Sequence, residues 1–307
     1  MSDQNIQFSG IYAAALTPLN AFGELDIELM VSHCHWLLNN GCNGLAILGT
    51  TGEANSFSIK ERIFILDRLI ELGVPSDALM PGTGSCALPD TVELTRAALR
   101  NGISGVLMLP PFYYKNPKDD GLFAAYSEVI QKIGNNSLRI CLYHFPQMSG
   151  VPISFSLIER LLKEYEGTVV GMKDSSGDIN NMIDAAKNFP GFSVFSGSDE
   201  LLLPLIREGG AGCITACANV GSSLAFEVYQ GWKKGGDIEL SNEILISLRN
   251  TIMKYPLSTA LKTLMARHTS NDSWLNIRVP LMRMNNSDRE NLFKTFDTIG
   301  YSIPPVS

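Results

Sequence analysis

The chain repeats one pattern of hydrophobic and polar positions. A short apolar run is followed by a loop of small or polar residues, and then by a segment whose apolar residues recur at helical spacing. Eight apolar runs are present, and they begin at Gly10, Asn43, Ala78, Ile103, Leu138, Thr168, Phe192 and Gly210. Alternating strands and helices predict a parallel sheet, and eight such units favour a closed (β/α)8 barrel over an open doubly wound sheet.

The segments between the runs carry helix signals. Ser58 followed by Glu61 predicts a capping box, and several helical stretches end in Gly, the residue preferred just beyond a helix C-terminus. From residue 222 onward the pattern is helical, with no further strand-like run. The sequence therefore predicts an α/β fold with a catalytic barrel in residues 1–221. Residues 222–307 are predicted to hold the last barrel helix and a C-terminal helical appendage.

Composition narrows the class of protein. The 24 basic and 31 acidic side chains give a net charge of −7, which leaves no basic excess for binding a nucleic acid. No run approaches the roughly 18 apolar residues of a membrane helix, and the N-terminus lacks the features of a secretory signal. The six cysteines form no CxxC pair and are interpreted as reduced core thiols. We expect a cytoplasmic enzyme that binds neither nucleic acid nor membrane.

Lys173 is the strongest candidate for a catalytic residue. In a barrel of this kind the active site lies at the C-terminal ends of the strands, and Lys173 follows the apolar run 168–172. Burial disfavours the charged ammonium and favours the neutral amine, which can attack a carbonyl carbon and form a Schiff base. Two other interpretations stay open, namely a lysine that extends to solvent and a lysine paired with Asp174.

Two other strand ends carry side chains that could assist Schiff-base chemistry at Lys173. Tyr143 closes the fifth run, and its phenol could transfer the protons that imine chemistry requires, although it could also be an aromatic plug of the barrel mouth. Thr50 and Thr51 lie between two glycines and could bind a carboxylate, although they could also form a plain turn. Together the amine, the phenol and the hydroxyls predict a site for a 2-keto acid.

Other motifs in the chain carry weaker signals. The segment Gly82–Ala87 fits the loose GxGxxA pattern, but no acidic residue stands about 20 positions further on, so a dinucleotide site is not expected. His33, Cys34 and His35 are adjacent on a helical stretch, where neighbouring side chains point apart, so no metal site is predicted there. We expect neither a metal nor a nucleotide cofactor.

The motifs, taken together, resemble those of the dihydrodipicolinate synthase and N-acetylneuraminate lyase superfamily of class I aldolases. The resemblance spans nearly the whole chain. It rests on GTTGE at 49–53, PFYY at 111–114, Tyr143 with Pro146 and Ser149-Gly150, the segment 171–178 around Lys173, and Ser196-Gly197. It implies a (β/α)8 barrel with C-terminal helices and a homotetramer built from tight dimers.

The resemblance also implies a role for each matching residue. Lys173 would form the Schiff base with pyruvate or a larger keto acid, and Tyr143 would be the general acid/base. Thr50 and Thr51, after Gly49, would bind the carboxylate, with Thr50 also in the proton relay. Tyr113 matches a relay tyrosine that reaches the neighbouring subunit's site, although Tyr114 leaves that register open. The backbone at Gly197 and the carbonyl of Ile214 would line the pocket.

Departures from the family's patterns bear on the substrate. Met148 stands where dihydrodipicolinate synthases have an arginine for the second substrate's carboxylate, and a thioether cannot pair with an anion. Asp199 and Glu200 match the pair with which sialate lyases bind substrate hydroxyls. However, Ala216 replaces a serine of those lyases, and His144 replaces the asparagine usual beside the tyrosine.

These features favour aldol cleavage or formation of a 2-keto-3-deoxy sugar acid, or of a related 4-hydroxy-2-keto acid. Three alternatives stay open. They are a dihydrodipicolinate synthase, a Schiff-base dehydratase and a non-catalytic keto-acid-binding homologue.

Overall fold

The computed structural model describes residues 8–306. Residues 1–7, which form most of the N-terminal segment that is predicted to lack a secretory signal, and Ser307 lie outside the described residues. Seven parallel strands form one curled sheet in the order β2-β1-β7-β6-β5-β4-β3. They are β1 (Gly10–Ala13), β2 (Gly44–Leu45), β3 (Gly105–Met108), β4 (Arg139–His144), β5 (Val169–Asp174), β6 (Ser193–Ser196) and β7 (Gly212–Thr215).

The third predicted strand closes the barrel without forming a regular strand. Residues 79–83 lie between β2 and β3 and make isolated bridges from Leu45 to Leu79 and from Gly82 to Leu107. The Leu107 N–H donates to the Pro81 carbonyl at 2.9 Å. Proline has no N–H to donate, and a side chain at Gly82 would lie 2.4 Å from the Leu48 carbonyl oxygen. The expectation of eight regular strands is corrected to seven strands and one irregular closing segment, and the barrel prediction is confirmed.

Helices surround the barrel between successive strands. The capping box at Ser58 is present, with the Ser58 N–H donating to Glu61 Oε2 at 2.7 Å and the Glu61 N–H donating to Ser58 Oγ at 3.3 Å. The helices are α1 (Ile27–Asn39), α2 (Ile59–Glu71), α3 (Leu88–Arg100), α4 (Asp119–Ile133), α5 (Pro146–Ser149), α6 (Phe155–Glu164), α7 (Ile179–Asn188) and α8 (Leu202–Arg207).

The C-terminal part is helical, as predicted. It consists of α9 (Ala218–Lys234), α10 (Glu239–Ile252), α11 (Leu257–Thr269) and α12 (Asn286–Phe296). Helix α9 crosses the predicted boundary at residue 221, where Gly221 has non-helical backbone angles. Leu248, Leu261 and Leu264 pack with Leu16 and Val220 in one apolar cluster, which joins the appendage to the barrel. The division into residues 1–221 and 222–307 stays a prediction.

Strand alternation decides which side chains enter the barrel. Cys141 and Tyr143 of β4 belong to the interior cluster, together with Tyr12, Phe195 and Ile214. Their neighbours Ile140 and Leu142 pack in the larger cluster between the strands and the helices. Within residues 8–306 no helix has the length and apolar character needed to cross a membrane.

All six cysteines are free thiols. Five of them are buried, and Cys86 is exposed.

Candidate active site

A cavity of about 280 Å³ opens at the C-terminal ends of the strands. Strand ends, the loops that follow them and the appendage contribute its lining. The lining residues are Thr50, Thr51, Tyr143, Phe145, Gln147, Lys173, Ser175, Gly177, Gly197, Ser198, Glu200, Ala216, Arg249, Met253 and Leu257. Six of the predicted site residues therefore share one cavity, namely Thr50, Thr51, Tyr143, Lys173, Gly197 and Glu200.

Lys173 points into this cavity from β5. It lies opposite Tyr143 in the pairing of β4 with β5, and only 6% of its surface is exposed. Its Nζ lies 4.4 Å from the centre of the Tyr143 ring. Asp174 points elsewhere, since its two carboxylate oxygens accept from the Ser176 N–H and the Asn181 amide, each at 2.7 Å. The structure therefore excludes the two other interpretations of Lys173, namely a lysine that extends to solvent and a lysine paired with Asp174.

Tyr143 connects the lysine to the threonine loop. Its hydroxyl lies 3.4 Å from Thr50 Oγ1, and Phe145 stacks on its ring at 5.8 Å. Thr51 is buried, and its carbonyl accepts from Ser258 Oγ at 3.1 Å. An amine, a phenol and a hydroxyl thus line one cavity, and these groups can transfer protons to and from a bound carbonyl compound.

The loop that carries Thr50 and Thr51 is fixed on both sides. Thr17 Oγ1 donates to the Gly52 carbonyl at 2.8 Å, and a side chain at Gly52 would lie 2.8 Å from the Ala15 carbonyl oxygen. Glu53 has a left-handed backbone (φ 58°) and forms a buried ion pair with Lys262 of α11. The last residue of the GTTGE motif is therefore structural, and it connects the loop to the appendage.

The appendage supplies three residues of the lining that the sequence analysis did not identify. They are Arg249 of α10, Met253 at its end and Leu257 at the start of α11. One signal could have identified Arg249, because it lies at helical spacing among the apolar residues Leu245, Leu248 and Ile252. An arginine on the buried stripe of a helix usually faces a polar partner or a ligand.

The remaining predicted site residues lie outside the lining. Gly49 precedes the two threonines, and Ile214 is buried in the barrel interior. Met148 is 62% exposed, and Tyr113 is 73% exposed with its ring edge against Tyr114. Their substrate-binding and relay roles stay predictions.

His144 and Asp199 are buried behind the cavity wall. His144 Nδ1 accepts from the Ile153 N–H at 3.0 Å, and burial lowers the pKa of this histidine. Asp199 is 0% exposed and accepts from Thr215 Oγ1 at 2.7 Å, and its pKa is raised by burial. Neither residue belongs to the cavity lining, and their substrate-binding roles stay predictions.

The two weak motifs have structural roles. Residues 82–87 belong to the closing segment of the barrel and the turn into α3. His33 is buried between Trp36 and Trp274, with its Nε2 2.9 Å from Asn219 Oδ1. No group of three or more His, Cys, Asp or Glu side chains within residues 8–306 is arranged to hold a metal ion.

Comparison with known proteins now identifies the family. The model of the dihydrodipicolinate synthetase family matches residues 7–299. The chain belongs to this family. A DapA-like lyase of Chloroflexus aurantiacus, itself uncharacterized, is 34% identical, and the alignment covers 94% of this chain and 96% of that protein. A 4-hydroxy-tetrahydrodipicolinate synthase of Listeria monocytogenes is 31% identical, with 90% and 93% covered.

Solved structures agree with this assignment. The crystal structure of dihydrodipicolinate synthase from Agrobacterium tumefaciens superposes with a TM-score of 0.86 at 31% identity, covering 95% of this chain and 99% of that one. The expected resemblance, the α/β barrel and the C-terminal helices are confirmed. Family members are carbon–carbon lyases that act on small molecules, and the chain is an enzyme of this class.

Proposed function

We propose that this protein is a class I aldolase in which Lys173 forms a Schiff base with pyruvate or a larger 2-keto acid. Its reaction is the cleavage or formation of a 2-keto-3-deoxy sugar acid or a related 4-hydroxy-2-keto acid. One observation carries the proposal, namely that the buried Lys173 Nζ lies 4.4 Å from the ring of Tyr143, whose hydroxyl lies 3.4 Å from Thr50. The alternative within the family is 4-hydroxy-tetrahydrodipicolinate synthase, the activity named for the Listeria relative.

In the cleavage direction the Lys173 amine attacks C2 of the keto acid. Tyr143 protonates the departing hydroxyl, so that water leaves and a protonated imine forms. Tyr143 then accepts the proton of the C4 hydroxyl, the C3–C4 bond breaks, and its electron pair moves into the imine to give an enamine. The aldehyde leaves, and Tyr143 gives its proton to C3 of the enamine. Water then hydrolyses the protonated imine, which releases pyruvate, the free amine and the proton that restores the Tyr143 hydroxyl.

Thr50 and Thr51 bind the carboxylate of the keto acid in this proposal. Their loop is held by Thr17 and Glu53, so the hydroxyls and N–H groups are oriented before substrate arrives. The reaction needs no metal or nucleotide, because the iminium withdraws the electrons. Tyr113 completes the proton relay in the site of a second copy of the chain within a cytoplasmic homotetramer.

Borohydride trapping tests the covalent step. With pyruvate present, reduction should add the mass of a reduced pyruvate to the peptide that contains Lys173. Lys173→Ala should lose both the label and turnover, whereas the exposed Lys163→Ala should keep both. An unlabelled Lys173 peptide, under conditions that label a known class I aldolase, would contradict the proposal.

A substrate panel separates the two candidate activities. Pyruvate release from 2-keto-3-deoxy sugar acids supports the aldolase. Pyruvate consumption with aspartate semialdehyde, without pyruvate release from any of the sugar acids, supports the synthase.

A further inference from the structure

Arg249 is a cation that the appendage contributes to the cavity. It lies on α10, and 15% of its side chain is exposed at the cavity wall. The cation-bearing side chains of the lining are Arg249 and Lys173, and Glu200 is its one carboxylate. The proposed chemistry uses Lys173, and the resemblance to sialate lyases implies that Glu200 binds substrate hydroxyls. Arg249 is left without a role.

Arg249 lies beside two carboxylates, and neither of them saturates it. Its Nη1 is 3.5 Å from Asp199 Oδ2, and its Nε is 3.8 Å from Glu200 Oε1. Charge-assisted hydrogen bonds between such groups are about 2.7–2.9 Å long, so the guanidinium keeps donor capacity toward the cavity. Asp199 Oδ2 is buried without a hydrogen-bond partner within residues 8–306.

The charge of this cluster decides what it can attract. If Asp199 is protonated, Arg249 and Glu200 cancel, and if Asp199 is ionised, the three residues together carry −1. In neither state does the cluster have the positive excess that would attract a second carboxylate or a phosphate. An anionic group entering here would meet Glu200, whose side chain is 41% exposed.

We propose that Arg249 is a specificity-determining residue that binds a neutral, hydroxylated aldehyde beside Glu200. This inference rests on the proposed function, since it concerns the second half of the same reaction.

Hydroxyl groups can form hydrogen bonds with both Arg249 and Glu200. A guanidinium only donates hydrogen bonds and a carboxylate only accepts them, whereas an alcohol does both. Adjacent hydroxyls of a sugar-derived aldehyde can therefore accept from Arg249 and donate to Glu200. Ser198 Oγ donates to Glu200 Oε1 at 3.2 Å and orients this carboxylate. Gln147 donates through its Nε2 to the Ser176 carbonyl at 2.6 Å, which leaves its amide oxygen as a further acceptor.

The test compares three aldehydes in the condensation direction with saturating pyruvate. Acetaldehyde has no hydroxyl, D-erythrose is neutral and hydroxylated, and succinic semialdehyde carries a carboxylate. The variants are Arg249→Met and a matched control, Arg207→Met, which removes an exposed arginine paired with Glu239 of α10 at 3.1 Å. Exchange of the pyruvate methyl protons into deuterated water reports the Schiff-base half of the reaction separately.

For Arg249→Met we expect the ratio of kcat/KM for D-erythrose to that for acetaldehyde to fall about 10- to 100-fold, as for the loss of a charged hydrogen bond. Arg207→Met should keep the wild-type ratio. Arg249→Lys retains the charge beside Asp199 but not the planar fork, and it serves as a second variant if Arg249→Met does not fold. Its ratio should fall by at least about 3-fold.

Four results would overturn the inference. Equal losses for all three aldehydes would indicate a structural role, and a loss confined to succinic semialdehyde would indicate an anion receptor. Absence of methyl exchange in the wild-type protein would overturn the proposed function, and the inference with it. Normal exchange with an unchanged aldehyde ratio in Arg249→Met would overturn the inference alone.

Discussion

Tyr143 is the residue on which the proposed proton path depends. It lies between the Lys173 amine and the Thr50 hydroxyl, and the stacked Phe145 holds its ring in place. A phenylalanine at position 143 would keep the ring and its packing but would remove the hydroxyl that lies 3.4 Å from Thr50 Oγ1. The chemical and structural roles of this residue can therefore be separated by substitution.

We expect Tyr143→Phe to slow exchange of the pyruvate methyl protons by about 10²-fold or more, the usual contribution of a general acid/base. NMR detection of deuterium incorporation measures it. Tyr126→Phe is the matched control, because Tyr126 is a buried tyrosine outside the cavity lining. Exchange at the wild-type rate in Tyr143→Phe would remove this residue from the proton path.

At the scale of elements, one buried ion pair joins the threonine loop to α11. Lys262 contacts Glu53 and donates to the Asn276 carbonyl at 2.8 Å, while the Arg278 N–H donates to Glu53 Oε2 at 3.1 Å. Both side chains are buried, and burial lowers the pKa of Lys262. Removing one partner would leave the other charge buried without compensation.

Lys262→Met should lower the free energy of unfolding by about 3–5 kcal/mol, measured by urea denaturation. The double variant Glu53→Gln with Lys262→Met should recover part of this loss. Arg267→Met removes a surface pair with Asp297 and should cost about 1 kcal/mol or less. Equal effects of Lys262→Met and Arg267→Met would contradict the assignment of a buried pair.

At the scale of the whole molecule, Asn219 connects the segments that follow the first and the last strand of the barrel. Its Oδ1 accepts from the Leu16 N–H at 2.9 Å and lies 2.9 Å from His33 Nε2, and its Nδ2 donates to the carbonyls of Ala14 and Ala216. The loops after β1 and β7 are thereby connected to α1 through one buried amide. His33 is neutral in this arrangement, and burial lowers its pKa from 6.5 to about 4.

This histidine predicts a pH dependence of stability. The pKa of His33 is lower in the folded state than in the unfolded state. The contribution of His33 to the free energy of unfolding is therefore complete above pH 6.5, and it is lost as the pH falls from about 6.5 through about 4. For a shift of this size the loss is roughly 3 kcal/mol. Unfolding free energies of the wild type and His33→Gln should converge across this window. Parallel pH profiles for the two proteins would contradict the prediction.

The repeating pattern by itself determined the barrel and the strand-end positions of Lys173, Tyr143 and the two threonines. The reason is local, since periodicity fixes which residues form strands, and parallel strands in a barrel place their C-terminal ends at one mouth. The motif GTTGE could be located in the same way. Its final glutamate could not be assigned a partner, because Lys262 lies 209 residues further along the chain.

Only the tertiary structure decided the rest. The third run closes the barrel through isolated bridges because Pro81 has no N–H to donate to a neighbouring strand, whereas the Gly82 N–H donates to the Ile47 carbonyl at 2.8 Å. Asp199 and Glu200 are adjacent in sequence, yet the first is buried and the second lines the cavity. Arg249 reaches the site because α10 packs against the turn 199–201 that follows β6. Such contacts join distant segments through packing and charge, which no local pattern encodes.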